Sequence, residues 1–264
     1  MFSGFASTAR EGRFRILLAL VLACAALGLA GCASNASYTW GWYVFNPSQA
    51  KGLGNIQFLL AGVWLTLALS VTAILISVVM GIVLAVSLLS QYKALRYTAR
   101  TYVEIFRAIP LLVLLLWVYY GLPVVSGLQF DAFVAGVMAL ALSDAAFEAE
   151  VFRAGLQSVP KGQREAAETL GLSRWTTLGH IVFPQAIRTI LPALGNQFVY
   201  VLKMSSLVSV VGLQEFTRRA NELNVTEYRP LEIYTFLVVE YLLLILLTSW
   251  GVRVLERRLT RSQR

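Results

Sequence analysis

Long apolar stretches, separated by short polar segments, organise the chain, and six of them stand out at 16–31, 58–89, 111–125, 133–142, 190–211 and 231–252. A bilayer core takes about 20 apolar residues in a helix, so the pattern predicts membrane-spanning helices. The second stretch exceeds one straight crossing, which predicts a tilt or an interfacial portion. The third and fourth are short and are extended through Ala108, Ile109, Ala145 and Phe147. No stretch alternates strictly between apolar and polar residues, so helices rather than barrel strands satisfy the backbone in lipid. The expected fold is an all-α polytopic membrane protein with about six transmembrane helices.

Composition agrees with the pattern. Of 264 residues, 58% are apolar and 14% charged, and the mean hydropathy is +0.68, too little charge to coat a soluble globule of this size. The net charge of +8 invites a nucleic-acid reading until the cations are located. They cluster in alternate loops: Arg10, Arg13 and Arg15; Lys93, Arg96, Arg100 and Arg107; Arg153, Lys161, Arg164 and Arg174; Arg253, Arg257, Arg258, Arg261 and Arg264. The intervening loops hold only Lys51, then no cation between Leu111 and Phe130, then Arg218, Arg219 and Arg229 balanced by Glu215, Glu222 and Glu227. By the positive-inside rule both termini and the loop near 160–184 face the cytoplasm. The basic excess is thus a topology signal, and with no basic domain outside the membrane it does not point to nucleic acid.

The N-terminal stretch allows two readings. Leu29-Ala30-Gly31-Cys32 follows a basic and then an apolar segment, as in a lipoprotein signal peptide cleaved before Cys32, which would leave five helices. A retained first helix fits the same residues. In both, the aromatic run Tyr38 to Tyr43 lies outside at the interface. Cys24 and Cys32 are the only cysteines, so the main body has neither a cysteine metal cluster nor a disulfide. The expected organisation is residues 1–55 as N-terminus, first segment and external loop, 56–259 as transmembrane domain, and 260–264 as a basic tail.

Between the fourth and fifth stretches, Pro160-Lys161-Gly162-Gln163 predicts a turn, and Arg164 to Leu170 is rich in helix formers. Gly171 ends that helix, Ser173 caps a second one, and Pro184 marks another break. Ala166 and Ala167 offer a surface that a second protein can approach closely, with Glu165 as its charged edge. A plain solvated connection would have the same shape.

Here the order of residues resembles a known signature. Glu165-Ala166-Ala167, three residues, Gly171, nine residues and Ile181-Val182-Phe183-Pro184 is similar to the EAA loop of ABC-importer permeases, with phenylalanine where leucine usually precedes the proline. Further stretches, Val103-Glu104-Ile105-Phe106-Arg107-Ala108-Ile109-Pro110-Leu111-Leu112, Ala149-Glu150-Val151-Phe152-Arg153, Val159-Pro160-Lys161-Gly162-Gln163 and Leu202-Lys203-Met204-Ser205-Ser206-Leu207, resemble the polar amino acid permeases of that class. The resemblance spans roughly residues 58–259. It implies a type I ABC importer permease fold in the bacterial cytoplasmic membrane. It also implies an ATPase subunit pair docked through Glu165, Ala166, Ala167, Gly171, Ile181 and Pro184, a second permease copy or paralogue, and an extracytoplasmic amino-acid-binding protein. The chain contains no GxxxxGK[ST], so ATP is expected on the partner ATPase and no cofactor on this chain.

The fourth stretch carries three acids. Asp144 and Glu148 are four residues apart and share a helix face, where ionised groups need a cavity or a partner. They either meet a cation in the pathway or neutralise Lys203 or Arg188, the latter being the favoured reading. Glu150 is expected to pair with Arg153, and Glu104 with Arg107 at a membrane-entry kink beside Pro110. His180, the only histidine, lacks companions for a metal site. Asn196, Gln197, Lys203, Ser205 and Ser206 make the fifth stretch the most polar, so one of its faces is expected to line the pathway. Together with Asp144 and Glu148, the residues Asn196, Lys203 and Ser205 form the candidate substrate pathway. Two rivals use the same acids: an intramembrane enzyme and a proton-coupled secondary transporter. Neither needs a docking loop.

Overall fold

A computed structural model describes residues 38–261. The stretch 16–31, both cysteines and the Cys32 alternative lie outside these residues. The chain divides into residues 1–41 and 42–264. In the first unit, the rings of Tyr38 and Trp40 meet edge-on at 5.7 Å.

In the second unit, a short turn of 3-10 helix (Trp42–Phe45) leads into α1 (Ala50–Leu60) and α2 (Gly62–Leu88), which continue past a break at Ala61 as one apolar span of 39 residues. One crossing does not need that length. The surplus is used at α1, where Leu59 packs with Val44, Phe45, Ala220, Leu223 and Ile233.

The next apolar stretch departs from expectation. Rather than extending through Ala108 and Ile109, it is preceded by a separate helix, α3 (Lys93–Ala108), which meets α4 (Leu111–Ser126) at a 101° bend. Pro110 forces the bend, because its ring disfavours helical geometry in the residue before it, and Ile109 is extended at φ −81°, ψ 124°. One side of α3 carries Lys93, Arg96, Arg100 and Arg107, while Ala99 and Val103 are buried.

The centre of the bundle is α5 (Ala132–Gln157), opened by Asp131, whose Oδ1 accepts from the Val134 N–H at 2.7 Å. Its extension through Ala145 and Phe147 is as expected. It packs along α2, whose buried residues, Leu69 apart, are small: Gly62, Thr66, Ser70, Ala73, Ser77, Gly81 and Ala85. Small side chains let two membrane helices approach closely and gain van der Waals contact that lipid cannot supply. A Cβ placed on Gly81 would stand 2.5 Å from Glu148 Cβ, so the two helices approach closely beside the acids.

A loop helix, α6 (Lys161–Thr169), then leads to α7 (Phe183–Met204), which extends into a 3-10 segment (Ser205–Val211). After Gly212, α8 (Phe216–Glu227) lies against α1, and α9 (Pro230–Arg261) closes the fold. Among the described residues, four helices are long and apolar enough to cross a membrane, or five if the bent pair α3–α4 counts as one.

Candidate functional site

The loop between α5 and α7 is a built corner. The guanidinium of Arg164 donates from Nη2 to the Leu156 carbonyl at 2.7 Å, fastening α6 to the end of α5. Gly171 takes a left-handed conformation at φ 72°, which only glycine adopts without a steric penalty. Two backbone bonds close the helix end there, Leu172 N–H to Ala167 O at 3.1 Å and Gly171 N–H to Glu168 O at 3.0 Å, the pairing of a Schellman cap. Ser173 caps the next turn as expected, its Oγ accepting from the Thr176 N–H at 3.2 Å.

Two expectations for this loop change. Ala167 is 1% exposed and turned inward, so only Ala166 of the pair faces out, beside the exposed Glu165 and the 77% exposed Leu170. Pro184 does not break the chain into a second short helix. A π-helical turn (Leu178–Val182) precedes it, with the Phe183 N–H donating to Leu178 O, and the helix passes straight into α7. The wider turn absorbs the proline near the first helical position, where its missing N–H is harmless. Ile181 is half-buried in that turn, and His180 Nδ1 lies 3.3 Å from Thr176 O.

Inside the bundle, Asp144 is 2% exposed and Glu148 is fully buried. Asp144 Oδ2 accepts from Ser77 Oγ at 2.6 Å, and its Oδ1 accepts from Gln197 Nε2. Neutral donors thus hold it, in place of the expected Lys203 or Arg188. Neither oxygen of Glu148 has a hydrogen-bond partner among the described residues, so its expected neutralisation by those cations is also absent. The Glu150–Arg153 pair forms as expected, with Arg153 Nη2 2.5 Å from Glu150 Oε2. Glu104 instead takes Arg100 at 2.8 Å, while Arg107 lies over the Phe147 ring, 5.3 Å from its centroid.

Of the remaining pathway candidates, Asn196 and Lys203 are exposed on α7, seven residues apart and hence on one face with the exposed Tyr200. Ser205 is buried, and its Oγ donates to the Leu202 carbonyl at 2.8 Å. The structure therefore separates Ser205 from the exposed pair. Gln197 sits at the edge of that polar face and reaches back to Asp144. Ser77 and Gly81, four residues apart on α2, were not singled out by sequence reading. Their spacing matches that of Asp144 and Glu148 on α5, a signal visible only once the two helices are paired.

Comparison with known proteins places these features in context. Residues 77–261 match the family described as binding-protein-dependent transport system inner membrane component. A probable glutamine ABC transporter permease protein, GlnM of Bacillus subtilis (strain 168), is 39% identical over 208 residues, covering 79% of this chain and 96% of the relative. The arginine transport system permease protein ArtQ of the same strain is 36% identical, covering 81% and 98%. A solved amino acid ABC transporter with histidines aligns with a TM-score of 0.76 at 37% identity, covering 84% of this chain and all of that one.

Proposed function

The chain belongs to the family of binding-protein-dependent transport inner membrane components, a permease subunit of an ABC importer and not an enzyme, and from that premise we propose that it carries a polar amino acid inward, driven by a separate ATPase. Relatives named for glutamine and arginine support the substrate class. ATP is then bound and hydrolysed on the partner pair. Two permeases, identical or paralogous, enclose the pathway, and an extracytoplasmic binding protein supplies the solute. The transmembrane domain occupies residues 56–259, and the C-terminus lies in the cytoplasm with the α6 loop, as the charge bias supports.

The observation that carries this reading is the Gly171 corner. It is capped at both helix ends and exposed, and it presents Glu165, Ala166 and Leu170 together. Such a corner suits a groove on a partner better than it suits a passive connection. Ile181 and Pro184 sit behind it and direct the chain into α7.

For the pathway, we assign Asn196 and Lys203 to the solute-facing side of α7, with Asp144 and Glu148 behind it. Gln197 links the two layers. The carboxylates offer negative charge to the ammonium that every amino acid carries, once the helices part. Ser205, buried and bonded to the Leu202 carbonyl, serves the end of α7.

The test is Gly171→Asp. A Cβ at Gly171 meets nothing within 4 Å, so the cost inside this chain is the left-handed backbone alone, about 1–2 kcal/mol. The variant is expected to insert and fold but to lose its ATPase on co-purification, together with ATP hydrolysis stimulated by loaded binding protein. Retention of both at wild-type levels would reduce the loop to a connector. Uptake in vesicles separates the rival transporter class, because ATP-driven import survives an uncoupler.

A further inference from the structure

A basic hollow between α3 and α5 plays no part in the coupling loop or the acid cluster. Its volume is about 690 Å³, and four guanidinium groups line it, Arg96, Arg100 and Arg107 from α3 and Arg153 from α5. Two carboxylates share the lining, and each is engaged: Glu104 by Arg100 at 2.8 Å, and Glu150 by Arg153 at 2.5 Å. Four cations against two anions leave a surplus of two positive charges. The surplus belongs to Arg96 and Arg107, neither of which joins an ion pair among the described residues. Arg96 makes only a long bond to the Ser90 carbonyl at 3.5 Å, and Arg107 rests on the Phe147 ring.

The helix that carries them is suited to the membrane surface. It turns by 101° away from α4, and its first residues expose Tyr92, Leu95 and Tyr97, side chains that settle at headgroup level. Its other side is fixed by Val103 against Ala146 and Ala149 of α5. The hollow runs along α3 from Arg96 to Ala108 beside the second half of α5, and the charge bias assigns these basic segments to the cytoplasmic leaflet. Guanidinium is a planar fork that meets two oxygens of one phosphate at once. All four cations here are arginine, while the nearby Lys93 lies outside the lining.

We propose that this hollow holds the phosphate headgroup of an anionic phospholipid of the cytoplasmic leaflet, with Arg96 and Arg107 as its principal ligands. The lipid braces α3 against α5 just above the coupling loop, so binding-protein-stimulated ATP hydrolysis depends on it. The assignment rests on the topology and coupling stated above, but its primary readout is bound lipid, which does not require transport.

The experiment takes the assembled transporter into bilayers of phosphatidylcholine with and without phosphatidylglycerol and counts retained lipid by native mass spectrometry. Wild type is expected to select phosphatidylglycerol and to hydrolyse ATP faster in its presence. Arg96→Gln and Arg107→Gln are each expected to weaken retention about fivefold, the loss of one cation near an anionic surface, while Lys93→Gln retains the lipid. Arg96 is exposed with one weak contact, so its variant folds and decides the matter even if the Arg107 variant does not. Equal retention of the two lipids by wild type, or undiminished retention by Arg96→Gln, would overturn the proposal. So would displacement by inorganic phosphate that itself stays bound, since the site would then take a soluble anion.

Discussion

At the scale of single residues, Glu215 shows how this protein accommodates a buried carboxyl outside its membrane spans. Oε1 accepts from the Arg218 N–H at 2.9 Å and Oε2 from the Tyr241 hydroxyl at 2.8 Å. Burial pushes the group above the ordinary glutamate range, although these bonds favour the ionised form. A folded pKa above the unfolded one means that this group's contribution is full at pH below the unfolded value and is lost as pH rises through the raised value. Glu215→Gln is therefore expected to remove that slope from melting temperatures measured in detergent from the ordinary glutamate range upward. Glu215→Ala is expected to cost about 1 kcal/mol from the lost cap, and to leave the Tyr241 hydroxyl without its acceptor. Some residue pairings were legible from spacing alone. Glu150 and Arg153 lie three apart on one helix and meet as expected. Glu104 could reach a cation on either side, and the choice of Arg100 over Arg107 depended on Phe147, which comes from another helix.

Between elements, the close contact of α2 and α5 governs what the acids can do. Gly81→Ala puts a methyl group 2.5 Å from Glu148 Cβ and 3.2 Å from the Ala149 backbone nitrogen. Separating the helices to relieve this overpacking costs about 1–3 kcal/mol, and it stretches the Ser77–Asp144 bond one turn away. The expected outcome is a lower melting temperature and reduced uptake. Ser77→Ala, which leaves the packing intact, is expected to reduce uptake with a smaller thermal change. These elements also show where sequence reading ran short. A left-handed glycine followed by a capping serine is local chemistry, so the corner at Gly171 and Ser173 could be read directly. The kink at Pro110 was legible from the proline itself, while the separate surface helix before it was not, because apolar residues continue through Ala108 and Ile109. The inward turn of Ala167 follows from the helix phase set by Arg164 and Leu156, a contact between segments that composition does not reveal. Pro184 looked like a break, yet a π-helical turn carries the chain past it.

At the scale of the molecule, two ends can be told apart. Lys51 and Glu227 form an ion pair at 2.9 Å, which brings the start of α1 and the end of α8 together, as expected of two loops sharing one side. Reporters fused after Gln49 and Val225 are expected to be active outside, and one fused after Lys161 inside. An external reporter at Lys161 would reverse the topology and remove the coupling surface from its motor. The expected orientation comes from the charge distribution alone, because the bias sits in short loops next to the spans. The pathway was less legible. Asn196, Lys203 and Ser205 are equally polar in sequence, and only the packing of α7 against its neighbours separates an exposed side chain from a buried one.

The Arg164 bond to the end of α5 has a mechanical consequence. From Leu156 back to Glu148 is eight residues, about 12 Å of continuous helix at 1.5 Å per residue. The one glycine on the way, Gly155, is buried against Ile190 and has no room to act as a hinge. The segment therefore joins the α6 corner to the acids as one unbroken length of helix. On the proposed docking, a thrust at the corner would reach Glu148 and Asp144 as a tilt of this helix and would open the gap between Ser77 and Asp144.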